Sequence, residues 1–160
     1  MESQGGADDA TRVHPGMGRA LRGCRSQHRD ILMKVAVTGA SGFVGRHVLR
    51  ALHEAGSANV TAVSRSEPGP WLPGGFDHVQ MDLQSPPAAP FEVIGSPDVL
   101  IHLAWGGLPH YDSRHHFEVE LPSSYGFLKA LVDHGLPSLL CVGTCFEYGM
   151  VNGALHESNV

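Results

Sequence analysis

Three glycines spaced three residues apart, directly after a short apolar segment, constrain the fold of this chain more than any other feature. Residues 34–38 have the apolar, β-branched character of a buried strand, and the glycines follow at positions 39, 42 and 45. Helix-forming sequence then runs over residues 46–56. A strand that passes through such a turn directly into a helix predicts the first part of a βαβ unit.

Each glycine of this turn has a separate physical role. Gly39 permits the tight turn, Gly42 leaves the main chain open to a pyrophosphate, and Gly45 lets the helix lie close to the strand. The helix N-terminus adds free N–H groups and a partial positive charge that favour an anion. We therefore expect a dinucleotide site whose contacts from this turn are Gly39, Ser41, Gly42, Phe43, Val44 and Gly45.

Strand and helix patterns alternate along the rest of the chain. Strands are predicted at 34–38, 59–64, 78–81, 98–103 and 138–142, and helices at 43–55, 91–94 and 115–134. Pro122 either bends the last helix or marks its true start. The alternation predicts an α/β fold: a doubly wound parallel sheet of five strands with helices on both faces. For the dinucleotide-binding form of such a sheet, which the glycine turn indicates, the expected strand order is 3-2-1-4-5.

Composition excludes several classes of function. The net charge of −5 argues against general nucleic-acid binding, and no apolar run reaches the about 20 residues that span a bilayer. The three cysteines and eleven histidines show no metal-ligand spacing, and no G-x-S-x-G hydrolase motif occurs. The odd number of cysteines suggests a reducing cytoplasm. Residues 1–32 are rich in arginine and lack periodicity, so we expect a disordered extension before a domain at 33–160.

The glycine turn also carries a family resemblance. Residues 38–45 read T-G-A-S-G-F-V-G, which resembles the T-G-x-x-G-F-x-G fingerprint of the extended short-chain dehydrogenases/reductases, the NAD-dependent epimerase/dehydratase family. Its members are sugar-nucleotide epimerases, dehydratases and reductases. The resemblance implies a Rossmann-like fold, a nicotinamide dinucleotide, a sugar-nucleotide substrate and a homodimeric full-length parent. It also implies that the chain lacks later strands and a substrate domain.

The end of the second strand decides between the two nicotinamide dinucleotides in this fold. A carboxylate there bonds the ribose 2′-hydroxyl of NAD, whereas an arginine attracts the 2′-phosphate of NADP. About twenty residues beyond Gly45 the chain has Ser64, Arg65 and Ser66 and no acid. Arg46 could reach the same region. We therefore expect NADP(H), with NAD(H) as the alternative in which Arg65 is only a solvated loop residue.

Two further segments resemble cofactor-contacting parts of the family. Residues 82–83 match the Asp-Leu/Val after the third strand, where the carboxylate accepts a hydrogen bond from the adenine amine. Residues 102–104 match the H-L-A-A segment after the fourth strand, with a tryptophan in place of the usual small residue and two glycines after it. The contacts implied by this resemblance are Asp82, Leu83, Leu103, Ala104 and Trp105.

The segment 142–149 resembles the family's catalytic S-S/T-x-x-V-Y-G pattern. The resemblance implies that Thr144 hydrogen-bonds the substrate carbonyl and stabilises negative charge there. Cys145 has no basic sequence neighbour that would activate its thiol, so we expect it to be part of the wall. Relatives carry a Tyr-x-x-x-Lys pair after this segment, and none follows Thr144 here. Tyr125 and Lys129 have that spacing but precede the strand, and we expect them on a helix surface.

These observations favour an NADP(H)-dependent reductase of a 4-keto-6-deoxy sugar nucleotide, as in bacterial surface-polysaccharide synthesis. An NAD-dependent sugar-nucleotide epimerase or dehydratase is the second possibility. The third is a non-catalytic nucleotide-binding remnant, since the acid–base pair of the family is not in the sequence. We expect the chain alone to show no turnover.

Overall fold

The computed structural model describes residues 33–144, 148–149 and 153–156. Within them the predicted strands form β1 (Val35–Thr38), β2 (Val60–Ser64), β3 (Asp77–Gln80), β4 (Val99–His102) and β5 (Ser138–Cys141). All pairings are parallel, and the order β3-β2-β1-β4-β5 confirms the sequence prediction. The predicted extension 1–32 lies outside the described residues.

The register of the sheet brings the carboxyl ends of the central strands to one edge. Thr38, the last residue of β1, lies between Val63 of β2 and His102 of β4. Ser64 of β2 lies beside Gln80 of β3. In open α/β sheets, ligands bind in the crevice outside this edge. The glycine turn that follows β1 therefore lies at the position where a site is expected.

The helices are α1 (Phe43–Glu54), the short α2 (Pro90–Val93) and α3 (Leu121–Asp133). A π-helical turn, His116–Glu120, precedes α3, so the helix predicted at 115–134 is divided into two parts. Pro122 lies in the first turn of α3, directly after the π-helical turn, where the helix passes into α geometry. This placement decides between the two possibilities for Pro122: the proline marks the start of the α-helix.

Apolar side chains pack on both faces of the sheet, as expected for a parallel sheet between helices. One cluster joins Ala36 and Leu100 to Phe127 and Leu131 of α3. The other joins the opposite face of β1 and β2 to Leu49 of α1. Alternate residues of each strand point to opposite faces, so the short strands serve both clusters.

The side of the sheet formed by β5 is different. All four residues of β5 are exposed, and within the described part of the chain β5 pairs only with β4. Of the helices whose positions are described, none is long and apolar enough to cross a membrane.

Candidate functional site

A cavity of ≈ 300 Å³ opens at the carboxyl edge of the sheet, between the segments after β1, β2, β3 and β4 and the start of α3. Ten of the thirteen residues predicted to contact a dinucleotide line it: Gly39, Ser41, Gly42, Ser64, Arg65, Asp82, Leu83, Leu103, Ala104 and Trp105. Residues from distant parts of the sequence are thus brought to one cavity.

The other three predicted contacts lie on α1, outside this cavity lining. Phe43 is 83% exposed and Val44 is 49% exposed. Gly45 is buried, and a Cβ atom there would lie only 2.2 Å from the carbonyl oxygen of Gly39. Gly45 therefore permits the close approach of helix to turn, which is the packing role predicted for it.

The glycine turn is shaped by its backbone. Gly39 has a φ of +69°, a conformation that other residues rarely adopt. A Cβ atom at Gly39 would lie 2.8 Å from the backbone nitrogen of Ala104, so the turn lies directly against the segment after β4. The N–H of Gly42 donates to the carbonyl oxygen of Gly39 at 3.0 Å and closes the turn.

The N-terminus of α1 fits an anion. Gly42 is its N-cap residue, and no described side chain caps the helix. The first bond within the helix runs from the N–H of Arg46 to the carbonyl oxygen of Gly42 at 3.1 Å. The N–H groups before it have no partner within the helix, and the first turn contains no acidic residue that would repel an anion. These features suit the diphosphate of a dinucleotide.

The end of β2 supplies one cation to the cavity. Arg65 is the one lysine or arginine among the described lining residues, and its side chain is exposed. Ser64 donates its hydroxyl proton to the carbonyl oxygen of Ser66 at 2.8 Å, while the Nε2–H of His78 donates to the Ser64 oxygen at 2.9 Å. The Ser64 proton is therefore already used inside the protein. Arg46 turns to the glycine turn, where its Nε–H donates to the carbonyl oxygen of Ser41 at 2.7 Å.

Two carboxylates also line the cavity. Asp82 is exposed, and its Oδ1 accepts a hydrogen bond from the N–H of Gln84 at 3.1 Å. Glu120, at the end of the π-helical turn, is only 9% exposed. Gln84, Gly106 and Glu120 also line the cavity, and the sequence did not predict them there. The sequence around Glu120 alternates polar and apolar residues, including Glu118, so nothing in it distinguishes the buried glutamate from the exposed one.

A buried histidine lies behind the cavity. His102 is 7% exposed, and its Nδ1 is 2.8 Å from the hydroxyl oxygen of Thr38. Its ring stacks against Phe127 at a centroid distance of 6.3 Å. The Nε2 atom has no hydrogen-bond partner among the described residues. Burial lowers the pKa of His102, so the neutral ring is favoured.

The predicted catalytic segment lies beyond β5. Thr144 is exposed and is not among the residues that line the cavity, and Cys145 lies outside the described residues. Tyr125 is 66% exposed on α3, and Lys129 bonds the carboxylate of Asp133, which raises the pKa of the lysine. These positions agree with a helix surface. Among residues of described position, no group of His, Cys, Asp or Glu side chains could hold a metal ion.

A family model gives the decisive comparison. The model of the NAD dependent epimerase/dehydratase family matches residues 35–160, which include every strand described above. The chain belongs to this family. The Rossmann-like sheet and the glycine turn that the sequence predicts lie within the region that matches the family.

Similar proteins carry nucleotide sugars in their names or in their solved complexes. The dTDP-6-deoxy-L-talose 4-dehydrogenase (NAD(+)) of Aggregatibacter actinomycetemcomitans is 26% identical over 125 residues, which are 77% of this chain and 46% of that protein. The structure of MoeE5 in complex with UDP-glucuronic acid and NAD has a TM-score of 0.62 and 26% identity, with 78% of this chain and 41% of that one covered.

The UDP-glucose 4-epimerase of Thermus thermophilus in complex with NAD has a TM-score of 0.55 and 25% identity. The match covers 67% of this chain and 36% of the epimerase. The chain thus spans less than half the length of each of these three relatives.

Proposed function

We propose that this chain is the nucleotide-binding part of an NADP(H)-dependent reductase of a 4-keto-6-deoxy sugar nucleotide. The observation that carries the proposal is the cavity at the carboxyl edge of the sheet, walled by a glycine turn and by a helix N-terminus without a side-chain cap. The likeness to a dehydrogenase that acts at C4 of a 6-deoxy sugar nucleotide supports the class of substrate.

The proposed roles follow from the lining. The main chain of the glycine turn holds the diphosphate, the Asp82 carboxylate accepts from the adenine amine, and the backbone of 103–104 contacts the ribose. A nicotinamide dinucleotide, when bound, supplies or accepts a hydride. In the proposal, Thr144 donates a hydrogen bond to the substrate carbonyl. No tyrosine or lysine is among the described residues of the cavity lining. In the proposal, the proton donor therefore lies outside this lining.

Gly42→Val is the sharpest test of dinucleotide binding. The backbone of Gly42 has φ −71° and ψ 174°, which valine adopts freely, and an added Cβ would contact only the Gly39 oxygen at 3.1 Å. We expect dissociation constants for NADPH and NADH to rise about ten-fold or more, because the side chain keeps the diphosphate from the main chain. The 3.1 Å contact with the Gly39 oxygen is tight, so the unfolding midpoint should fall slightly while the protein remains folded.

The matched control is Gly74→Val, since an added Cβ at this exposed glycine meets no atom within 4 Å. It should bind both dinucleotides as the wild type does. Failure of the wild type to bind either dinucleotide, or unchanged binding by Gly42→Val, would contradict the proposed function.

The choice of cofactor is tested at Arg65. We propose a preference for NADP(H), because the lining residues that follow β2 include an arginine and no acidic residue. Arg65→Ser should weaken NADPH binding by about ten-fold and leave NADH binding nearly unchanged. Arg114→Ser, which removes an exposed arginine paired with Glu118, is the control. Wild-type binding of NADH that is as tight as that of NADPH would favour NAD(H) instead.

A second candidate is an NAD-dependent epimerase or dehydratase that shows no net cofactor consumption. It is favoured by the NAD bound in the structures of MoeE5 and the Thermus thermophilus epimerase. Measured on the full-length enzyme of which this chain is proposed to be a part, absorbance at 340 nm with a 4-keto sugar nucleotide separates the two: stoichiometric loss supports the reductase. Binding without any turnover would support the third candidate, a nucleotide-binding unit that is not catalytic by itself.

A further inference from the structure

Glu120 is a buried carboxylate for which the proposed function gives no role. It is the last residue of the π-helical turn before α3, and its side chain lies in the wall of the cavity. We propose that Glu120 is a positioning residue that fixes two walls of the dinucleotide cleft relative to each other. As a statement about cofactor affinity, the inference rests on the proposed function.

The contacts of the carboxylate join three segments. Its Oε2 accepts a hydrogen bond from the N–H of Gly106 at 3.0 Å. Its Oε1 accepts from the Nε2–H of His115 at 3.0 Å and, more weakly, from the side-chain amide of Gln84 at 3.4 Å. Both carboxylate oxygens therefore have partners within the protein, as buried polar groups generally do.

Two of these segments are walls of the cleft. Gln84 follows the segment 82–83, which is proposed to contact the adenine. Gly106 follows the segment 103–105, which is proposed to contact the ribose. The two segments leave the sheet at β3 and β4, which are not adjacent strands. Because both reach the same carboxylate, a change in Glu120 alters their separation.

The loop after β4 is built around this side chain. A Cβ atom at Gly106 would lie 2.3 Å from Oε1 of Glu120, so only glycine leaves room for the carboxylate. Gly107 has a φ of +80°, and a Cβ there would lie 3.1 Å from the His115 ring. These contacts account for the two glycines that follow Trp105 in the sequence.

Trp105 reports on the position of this loop. It is 44% exposed at the cavity, next to Gly106, and its Nε1–H donates to Nδ1 of His116 at 3.1 Å. The only other tryptophan in the sequence is Trp71, which lies outside the cavity lining. A Trp71→Phe background therefore gives a fluorescence signal from Trp105 alone.

The test compares Glu120→Ala and Glu120→Gln in the Trp71→Phe background. Glu118→Ala is the matched control, because Glu118 lies in the same π-helical turn but its side chain is exposed and paired with Arg114. The first measurement, without nucleotide, is the emission maximum of Trp105 and its quenching by acrylamide. The second is the dissociation constants for NADPH and NADH.

In Glu120→Ala we expect a changed Trp105 emission, stronger quenching, and about ten-fold weaker binding of both dinucleotides. A change in both affinities separates this role from that of Arg65, which should affect NADPH alone. Glu120→Gln keeps an oxygen that accepts from the Gly106 N–H, so it should bind both within about three-fold of the background. Glu118→Ala should match the background in every measurement.

The proposal is overturned if the Trp105 signal of Glu120→Ala equals that of Glu118→Ala. It is also overturned if the background protein binds dinucleotide and Glu120→Ala binds equally well, with only a lower unfolding midpoint, or if Glu120→Gln loses as much affinity as Glu120→Ala. Absence of binding in the background defeats the proposed function, while the nucleotide-free signal still decides the role of Glu120. If Glu120→Ala does not fold, Gly106→Ala displaces the same carboxylate and takes its place with the same outcomes.

Discussion

Two buried polar residues at the carboxyl edge of the sheet are hydrogen-bonded to each other across neighbouring strands. Thr38 ends β1 and is fully buried, and its hydroxyl pairs with His102, which ends β4. Polar groups at the carboxyl ends of strands are buried at lower cost when a neighbouring strand supplies a hydrogen-bond partner. The lowered pKa of His102 follows from this burial.

Stability should fall with acidification because of His102. In the unfolded chain its imidazole takes a proton below about pH 6.5, whereas in the folded protein burial keeps the ring neutral to lower pH. The unfolded state therefore binds more protons in that window, and the free energy of unfolding falls as the pH falls, by at most about 1.4 kcal/mol per pH unit from this group. Above about pH 6.5 both states are neutral and the effect disappears.

The measurement is urea unfolding between pH 7.5 and pH 5 (roughly the window in which an unperturbed histidine titrates) for the wild type and for His102→Leu. The decrease in unfolding free energy over this range should be smaller in His102→Leu. His110→Leu removes an exposed imidazole and serves as the control. Equal pH dependence in the two variants would contradict the prediction.

Helices α1 and α3 show that the same residue type has opposite effects in different surroundings. Gly45 in α1 lies where the helix meets the glycine turn, and a Cβ atom added there would lie 2.2 Å from the Gly39 oxygen, whereas Gly126 in α3 has open space around it. Both glycines are in helices, where alanine is intrinsically favoured. Their substitution therefore separates packing from propensity.

Gly45→Ala should lower the free energy of unfolding by about 1–3 kcal/mol, because the methyl group forces α1 away from the turn. Gly126→Ala should raise it by about 0.5–1 kcal/mol through helix propensity alone. Urea denaturation of both variants and the wild type measures the difference. If Gly45→Ala and the wild type had the same free energy of unfolding, the predicted packing role of Gly45 would be wrong.

Tyr125 and Lys129 in α3 have the spacing of the family's Tyr-x-x-x-Lys pair, and the structure shows where the helix places them. The spacing places both side chains on one face of α3, as the sequence suggests. That face is the exposed one, and the bond to Asp133 raises the pKa of Lys129, which favours the charged form. A spacing motif therefore acquires chemical meaning only from the surface on which its helix places it.

At the scale of the whole molecule, β5 has only β4 as a neighbouring strand among the residues that the structure describes, so its other side is open there. Leu140 and Val142 are 55% and 57% exposed there. The relatives described above are more than twice as long as the region they share with this chain. An edge strand with exposed apolar residues is a template for association with another chain.

We expect the chain to self-associate with rising concentration. Leu140→Lys should weaken that association by about ten-fold, because a charge on an edge strand opposes pairing. Sedimentation analysis over a range of concentrations measures the effect. Val93→Lys, which changes an exposed apolar residue of α2, is the control and should associate as the wild type does. A wild type that stays monomeric throughout would contradict this expectation.

The sequence by itself determined the strands and the turn after β1, because apolar periodicity and glycine conformation are properties of neighbouring residues. The strand order followed from the class of fold that the glycine turn indicates. Only the tertiary structure decided that Ser64 bonds His78, that Thr38 bonds His102 and that Gln84 and Gly106 share Glu120. Each of these bonds joins residues from different elements. Hydrogen-bond partners depend on how elements pack, so a buried carboxylate such as Glu120 becomes visible only when the folded chain surrounds it.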